Sequence, residues 1–258
     1  MDTPLISIIV PTYNRADLIG EALESVLAQS FSSWELIIMD DCSTDNTAAI
    51  VRQFLARDSR IRYIKNEKNL GIARNRNTGI ELTKGSLIAM LDSDDTWTDK
   101  NKLQKQADFL RENPDHVLVS TRATVIDLAG KEVGKFDFAE KDEDIRKVML
   151  RRNQIVQSSV LYRKDSAVAV GGYDPSYAIV DDYDLWLRLG SEGRFRVLPE
   201  YMVGYRAHDG GITKERPLVA AREHLAIIRK HKNAYPGYAF AYIKAKVRIV
   251  IARIKARR

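Results

Sequence analysis

Carboxylates gathered on a short loop repel one another unless a cation or a shared proton lies among them. This chain gathers them twice. Asp92-Ser-Asp-Asp95 closes the apolar run Ser86-Leu-Ile-Ala-Met-Leu91, and Asp181-Asp-Tyr-Asp184 follows about ninety residues later. Hard oxygen ligands at that density suit Mg²⁺ or Mn²⁺, and a metal-bound phosphate is the substrate such a site would take. The run ahead of the first cluster has the length of a strand. Its acids therefore emerge at a strand's carboxyl end, where open α/β sheets bind ligands. The simpler reading is that Asp and Ser between a strand and a helix are ordinary helix caps.

The elements that would carry these acids alternate through the first half. Leu5–Val10 ends at Pro11, and Leu18, Ile19, Ala22, Leu23, Val26 and Leu27 then recur at helical spacing. Leu36–Met39 precedes Val51, Phe54 and Leu55, while Ile61–Ile64 and Leu87–Leu91 complete four strands. Strands separated by helices predict a parallel sheet with right-handed crossovers, an α/β fold of the nucleotide-binding kind. No G-x-G and no Gly-Lys-Ser/Thr occurs, so neither the dinucleotide nor the P-loop fingerprint is present.

The second half changes character. Val117–Ile126, a turn at Ala129-Gly-Lys131 and Glu132–Phe136 predict a hairpin; Asp142–Arg151 reads as a helix and Gln157–Tyr162 as a further strand. A helix-rich end begins near Pro217 and is broken by Pro236-Gly237. The 258 residues suffice for a full core, and the single cysteine, Cys42, excludes an internal disulfide and any cysteine-based zinc site. With no basic segment ahead of the first strand, a secretory leader is not expected, which points to the cytoplasm. The net charge of +6 is a property of the tail: residues 241–258 hold seven Lys or Arg and no acid, leaving −1 for the rest.

Four strand ends carry polar loops in sequence: Pro11-Thr-Tyr-Asn-Arg15, Asp40-Asp-Cys-Ser-Thr-Asp45, Asn69-Leu-Gly-Ile72 leading into Arg76-Asn77, and Asp92-Ser-Asp-Asp95. Together with Ser7-Ile-Ile-Val-Pro-Thr-Tyr-Asn-Arg15, Trp34-Glu-Leu-Ile-Ile-Met-Asp-Asp-Cys-Ser-Thr-Asp-Asn-Thr47 and Leu91-Asp-Ser-Asp-Asp95, they make the chain resemble the family-2 glycosyltransferases over about residues 5–210. The resemblance implies a GT-A fold, a Rossmann-like, mostly parallel sheet flanked by helices. It implies a catalytic domain over residues 1–215 and a helical extension with a basic amphipathic tail over 216–258. The implied reaction is metal-dependent, inverting sugar transfer from a nucleotide-diphosphate donor, a UDP-sugar favoured, to a hydroxyl of a glycan or lipid-linked glycan.

Position by position, the resemblance implies that Asp41 accepts a hydrogen bond from the base and that Pro11, Thr12, Tyr13 and Arg15 line the donor pocket. Asp40 is read equally as a turn-forming residue or a ligand contact. Arg76 is implied to meet the nucleotide or diphosphate, with Arg74 close by and Asn75 where relatives often have Ala. Asp92 approaches the ribose or the metal, Asp94 the metal, and Asp95 and His208 are further ligands. Asp182 is the implied general base, with Asp181 the alternative; Asp184 reads as a helix cap. Trp186, Gly172 and Tyr173 are placed at the acceptor. His116, His224 and His231 receive no role.

In the tail, Phe240, Ile243, Val247, Val250 and Ile254 recur at helical spacing among basic residues. That face either lies on an anionic membrane surface, making the protein peripheral on the cytoplasmic side, or packs on protein. No nucleic-acid partner is expected, since no recognition motif is present. Two other classes fit parts of the pattern. A nucleotide-sugar-binding module without turnover would not need Asp182, and a nucleotidyltransferase would carry a glycine-rich basic loop after the first strand.

Overall fold

The computed structural model describes residues 6–208 and 210–255, the last by its backbone alone. Met1–Leu5, the Lys255 side chain, Arg257 and Arg258 therefore lie outside the described residues, as do the expectations placed on them.

In chain order the elements are β1 (Ile6–Thr12), α1 (Ile19–Leu27), β2 (Trp34–Asp40), α2 (Thr47–Leu55), β3 (Ile61–Lys65), α3 (Ile72–Glu81), β4 (Leu87–Met90) and β5 (Thr96–Trp97). They continue with α4 (Lys102–Glu112), β6 (His116–Ile126), β7 (Glu132–Phe136), α5 (Asp142–Val148), β8 (Leu161–Arg163), α6 (Lys164–Ala169) and α7 (Asp181–Leu189). The last are β9 (Arg194–Arg206), α8 (Ile212–Glu215), α9 (Pro217–Lys230) and α10 (Tyr238–Lys255). They build one sheet in the order β3-β2-β1-β4-β8-β6-β9-β5, with β7 beside β6.

Strands β1, β2 and β4 are mostly apolar and buried along their whole lengths, as parallel strands covered on both faces must be. Alternate side chains serve opposite faces. Ile6, Ile8 and Val10 join α1, α2 and α4, whereas Ile9 joins α3, α5, α7 and the C-terminal helices. Helix α3 lies so close that a β-carbon on Gly79 would meet Ile9 Cγ2 at 2.9 Å and Met39 Cγ at 3.1 Å. Glycine there sets the height of α3, and with it Arg76, above the sheet.

The four expected strands pair in parallel, in the order 3-2-1-4. Beyond β4 the sheet becomes mixed, with β8 antiparallel to both β4 and β6, and β6 parallel to β9. Two features depart from the sequence reading. Gln157–Ser159 form a 3-10 turn, and only Leu161–Arg163 continue as strand, because the Ser159 hydroxyl and N–H both turn back to the Val156 carbonyl. The thirteen-residue β9 was not anticipated: its pairing with β6 skips Pro199 and Glu200, a bulge whose Pro and charges disguise a strand.

The C-terminal helices share the core beneath α7. Ala221, Ile227 and Ile228 of α9 and Ala241, Ala245, Ile249 and Ala252 of α10 belong to the same buried cluster as Leu185 and Trp186. The face expected either to pack on protein or to meet a membrane, from Phe240 through Ile254, is exposed and not packed on the rest of this chain. Among the described residues no helix is long and apolar enough to cross a membrane.

Candidate active site

The loops at the carboxyl ends of β1, β2 and β4 and the start of α3 border a cleft of about 760 Å³, completed by Pro175, Tyr177 and Ala178 and by residues 210–216. The β1 and β2 loops are knitted together before any ligand arrives. Ser43 Oγ accepts from the Asn14 N–H at 2.9 Å, Asn14 Oδ1 accepts from the Thr44 N–H at 2.8 Å, and Thr47 Oγ1 accepts from the Arg15 N–H at 3.0 Å. Asn14 and Cys42 take the left-handed backbone, at φ 50° and 70°, a conformation that non-glycine residues hold only when their surroundings enforce it. Asp40 is fully buried, bonding the Ser43 N–H and the Tyr63 hydroxyl, so it serves the turn.

Pro11, Thr12, Tyr13, Arg15, Asp41, Asp92 and Asp94 all border the cleft. Asp41 already accepts from Asn66 Nδ2 at 2.9 Å, the Leu70 N–H at 2.7 Å and the Gly71 N–H at 2.9 Å. It thus folds the loop after β3 onto the end of β2 and keeps one of about four acceptor positions free. Thr12 Oγ1 is buried with no partner.

Arg76 lies elsewhere than expected. Its guanidinium is beneath the cleft floor, donating to Asp92 Oδ1 at 2.8 Å and to Asp181 Oδ1 at 2.9 Å, while Arg74 and Asn75 border the cavity. The resemblance implies that Arg76 meets the nucleotide or diphosphate; the fold makes it the bridge between the two acid loops. Asp181 is wholly buried in that pair, whereas neighbouring Asp182 is partly exposed. Burial, with Asp181 alongside, raises the Asp182 carboxyl to about 7, against the opposing pull of Arg76. Tyr205 connects the clusters: burial and then Asp95, Asp92, Asp94 and Asp182 together raise its hydroxyl well above the usual range. All four acids therefore share one electrostatic neighbourhood.

Asp94 faces His208 Nε2 at 3.1 Å and Arg15 Nε at 3.5 Å. Asp95 does not join them as a ligand. One of its oxygens accepts from Ser158 Oγ at 2.5 Å and the other from the Arg206 N–H at 2.8 Å, both buried, so it fastens the acidic loop to β9 and to the turn before β8. Arg206, unnoticed in the sequence, completes that fastening. It donates through Nε to the Asp94 carbonyl at 2.8 Å and through Nη2 to Glu21 at 2.5 Å. Among the described residues no three His, Cys, Asp or Glu side chains converge as in an all-protein cage. Asp94 and His208 offer two donors, which fits a Mg²⁺ or Mn²⁺ ion that takes its other positions from substrate phosphate and water.

The three residues expected at the acceptor belong to the scaffold. Trp186 is fully buried between Tyr162 and Tyr173. Tyr173 is also buried: its hydroxyl accepts from Gln157 Nε2 at 2.9 Å, and Asn77 bonds its N–H at 2.8 Å and its carbonyl at 2.7 Å. Gly172, at φ 67°, passes so near Asn77 that a β-carbon would meet Oδ1 at 2.6 Å. Apolar and aromatic residues near an acidic motif read alike as pocket or core, and here burial decides for core.

What does border the cleft on that side is the segment of Pro175, Tyr177 and Ala178, held from below by α9. The Glu223 carboxylate accepts from the N–H groups of Ala178, Ile179 and Val180 at 2.8, 3.0 and 3.2 Å. Lys230 pairs with Asp174 at 3.2 Å and with Asp184 at 2.9 Å. Asp184 also receives Arg188 and His231, at 2.7 and 3.0 Å, and is an ion-pair hub rather than a cap. Burial works to raise its carboxyl, yet the bonds from His231, Lys230 and Arg188 prevail and hold it at about 2.

Residues 7–166 match the model of glycosyl transferase family 2. TuaG of Bacillus subtilis (strain 168), described as a putative teichuronic acid biosynthesis glycosyltransferase, is 48% identical over 109 residues, covering 42% of this chain and 43% of the relative. WfgD of Escherichia coli, described as a UDP-Glc:alpha-D-GlcNAc-diphosphoundecaprenol beta-1,3-glucosyltransferase, is 44% identical over 113 residues, 44% of each chain. The match thus spans less than half the length of either relative. In fold, the chain is similar to the mannosyltransferase PcManGT from Pyrobaculum calidifontis, solved with GDP-Man and Mn²⁺, at a TM-score of 0.70 and 19% identity over 98% of this chain and 76% of that one.

Proposed function

The chain belongs to glycosyl transferase family 2, and on that footing we propose that it is an inverting enzyme that moves a hexose from a nucleotide-diphosphate sugar to an acceptor hydroxyl. The observation that carries this is the contrast between Asp181 and Asp182. One is buried and paired with Arg76; its neighbour is partly exposed, raised to about 7, and within electrostatic reach of Asp92. A carboxylate poised there suits a general base at neutral pH.

In this reading Asp182 takes the proton of the acceptor hydroxyl as its oxygen bonds to the anomeric carbon. The bond from that carbon to the diphosphate oxygen breaks on the opposite face, which inverts the configuration. Thr12, Arg15 and Asp41 orient the nucleoside, and Asp92 the ribose. Asp94 and His208 would hold Mn²⁺ or Mg²⁺, which when bound supplies positive charge to the departing diphosphate. The Mn²⁺ in PcManGT supports that assignment, and the UDP-Glc in the name of WfgD supports a uridine donor.

A lipid-linked or polymeric surface glycan is the acceptor we favour, since the names of TuaG and WfgD both concern such products. We assign catalysis to residues 1–215, in the cytoplasm where the donors are made, and support of the acceptor side to 216–258. The test is incubation with a panel of nucleotide sugars and Mn²⁺ on a lipid-diphosphate acceptor, reading nucleoside diphosphate release and the anomeric configuration of the product. Release of pyrophosphate, or a retained anomer, would refute the reading.

A further inference from the structure

Helix α10 has two apolar faces, and among the described residues only one has a partner. At 100° per residue, Ala241, Ala245, Ile249 and Ala252 fall on one side and are buried against α9 and the core. Phe240, Ile243, Val247, Val250, Ile251 and Ile254 fall within an arc of about 100° on the opposite side, each between 49% and 63% exposed. The division is by size as well as by side. Three alanines beside Ile249 let α10 lie close to α9, while bulky residues, which a soluble helix has no packing reason to display, point outward together.

The charges are arranged around that outward stripe. Lys246 and Arg253 run along one edge, Lys244 and Arg248 along the other, all exposed. Arg151 adds a further cation over the Phe240 ring, 5.3 Å from its centroid. No Asp or Glu follows Glu223 anywhere in the chain. A protein partner that buried such a stripe would need acids on two parallel edges about one helix diameter apart. An anionic bilayer supplies them everywhere, together with an apolar interior for the stripe.

We propose that the outer face of α10 is a membrane-docking surface that lies in the headgroup layer of an anionic bilayer. The bulky stripe enters to the depth of the acyl boundary, and the two basic rows meet lipid phosphates on either side. Eighteen residues make a contact about 27 Å long. Because α10 is packed on α9, and α9 holds Ala178, Ile179 and Val180 through Glu223, docking fixes the acceptor side of the cleft relative to the bilayer. The surface itself stands whether or not the proposed donor is correct.

The test is sedimentation of the full chain with vesicles of phosphatidylglycerol and phosphatidylcholine in equal parts, and with phosphatidylcholine alone. Binding to the first and not the second is expected, with release as salt rises from about 0.1 M to about 1 M and the screening length falls from about 10 Å to about 3 Å. Val247→Glu with Ile251→Glu should weaken partitioning at least about tenfold at an unchanged melting temperature, because both side chains face away from the core. If that variant does not fold, Lys246→Glu with Arg253→Glu should remove the salt-sensitive part alone. Equal sedimentation of wild type and variants, or none with either vesicle, overturns the proposal. So does a concentration-dependent dimer that these substitutions dissolve without any lipid binding, since the face would then belong to a second copy.

Discussion

Asp181 and Asp182 are adjacent, identical in chemistry and opposite in circumstance. The Asp181 carboxylate is buried against Arg76 while that of Asp182 is partly exposed, and in the proposed reading only the second moves a proton. Asp182→Asn should therefore retain nucleoside diphosphate affinity in a titration and lose about 10²–10⁴ in turnover. In the wild type the base must be ionised. With its carboxyl raised to about 7, kcat/KM for the acceptor should fall tenfold per unit as pH drops below that value and level off above it. A profile flat from pH 5 to 9 would take the role from Asp182. Asp94→Ala should remove the Mn²⁺-dependent part of nucleotide binding at an unchanged melting temperature, since among the described residues its carboxylate meets only His208 and Arg15. Unchanged Mn²⁺ dependence in calorimetry would exclude Asp94. The acids were legible in the sequence because they close a strand and open a helix within a longer pattern that resembles a known family, not by their type and spacing alone. Their division of labour was not, because Asp95 and Asp94 differ only in which neighbours the fold supplies.

At the scale of elements, the parallel strands β1 to β4 were readable from their apolar runs, and α10 from its spacing. What escaped reading depends on partners distant in the chain. β9 hides behind Pro199 and the charges around it, and the true inner face of α10 is mostly alanine, which carries little hydrophobic signal. The hold of α9 on residues 178–180 is equally silent, since Glu223 looks like any exposed helical acid. Its role is that of a positioning residue. Glu223→Ala should raise the acceptor KM about tenfold, on the scale of a lost charge-assisted contact to backbone amides, while slow donor hydrolysis to water stays unchanged. Glu223→Gln, which still accepts, should recover part of the loss. If hydrolysis and transfer decline together, the residue supports the fold as a whole.

For the whole molecule, Asp184 joins α7 to the end of α9. Its carboxyl is held near 2 in the folded state, below the unfolded value of about 4, so its stabilisation is complete above pH 4 and is lost as pH falls from 4 to 2. That shift corresponds to about 2 kcal/mol. Asp184→Asn should cost at least that much at pH 7 in urea unfolding, because His231, Lys230 and Arg188 then face one neutral amide oxygen in place of a carboxylate. The gap between variant and wild type should narrow at pH 3. A gap that stays constant between pH 7 and pH 3 would mean that the hub contributes by shape and not by charge.

The pairings of Arg76 with Asp92 and Asp181, of Asn77 with Tyr173, and of Glu223 with residues 178–180 span 16, 105, 96 and up to 45 positions of chain. They bear on inheritance as well as on structure. A gene hybrid that joins the front of this chain to the back of a relative at any point between residues 77 and 173 brings together an α3 and an α7 with separate histories. Crossovers after residue 223 leave all of these pairings intact. Swapping residues 174–180 to import another acceptor preference therefore requires the matching stretch of α9 to travel with them.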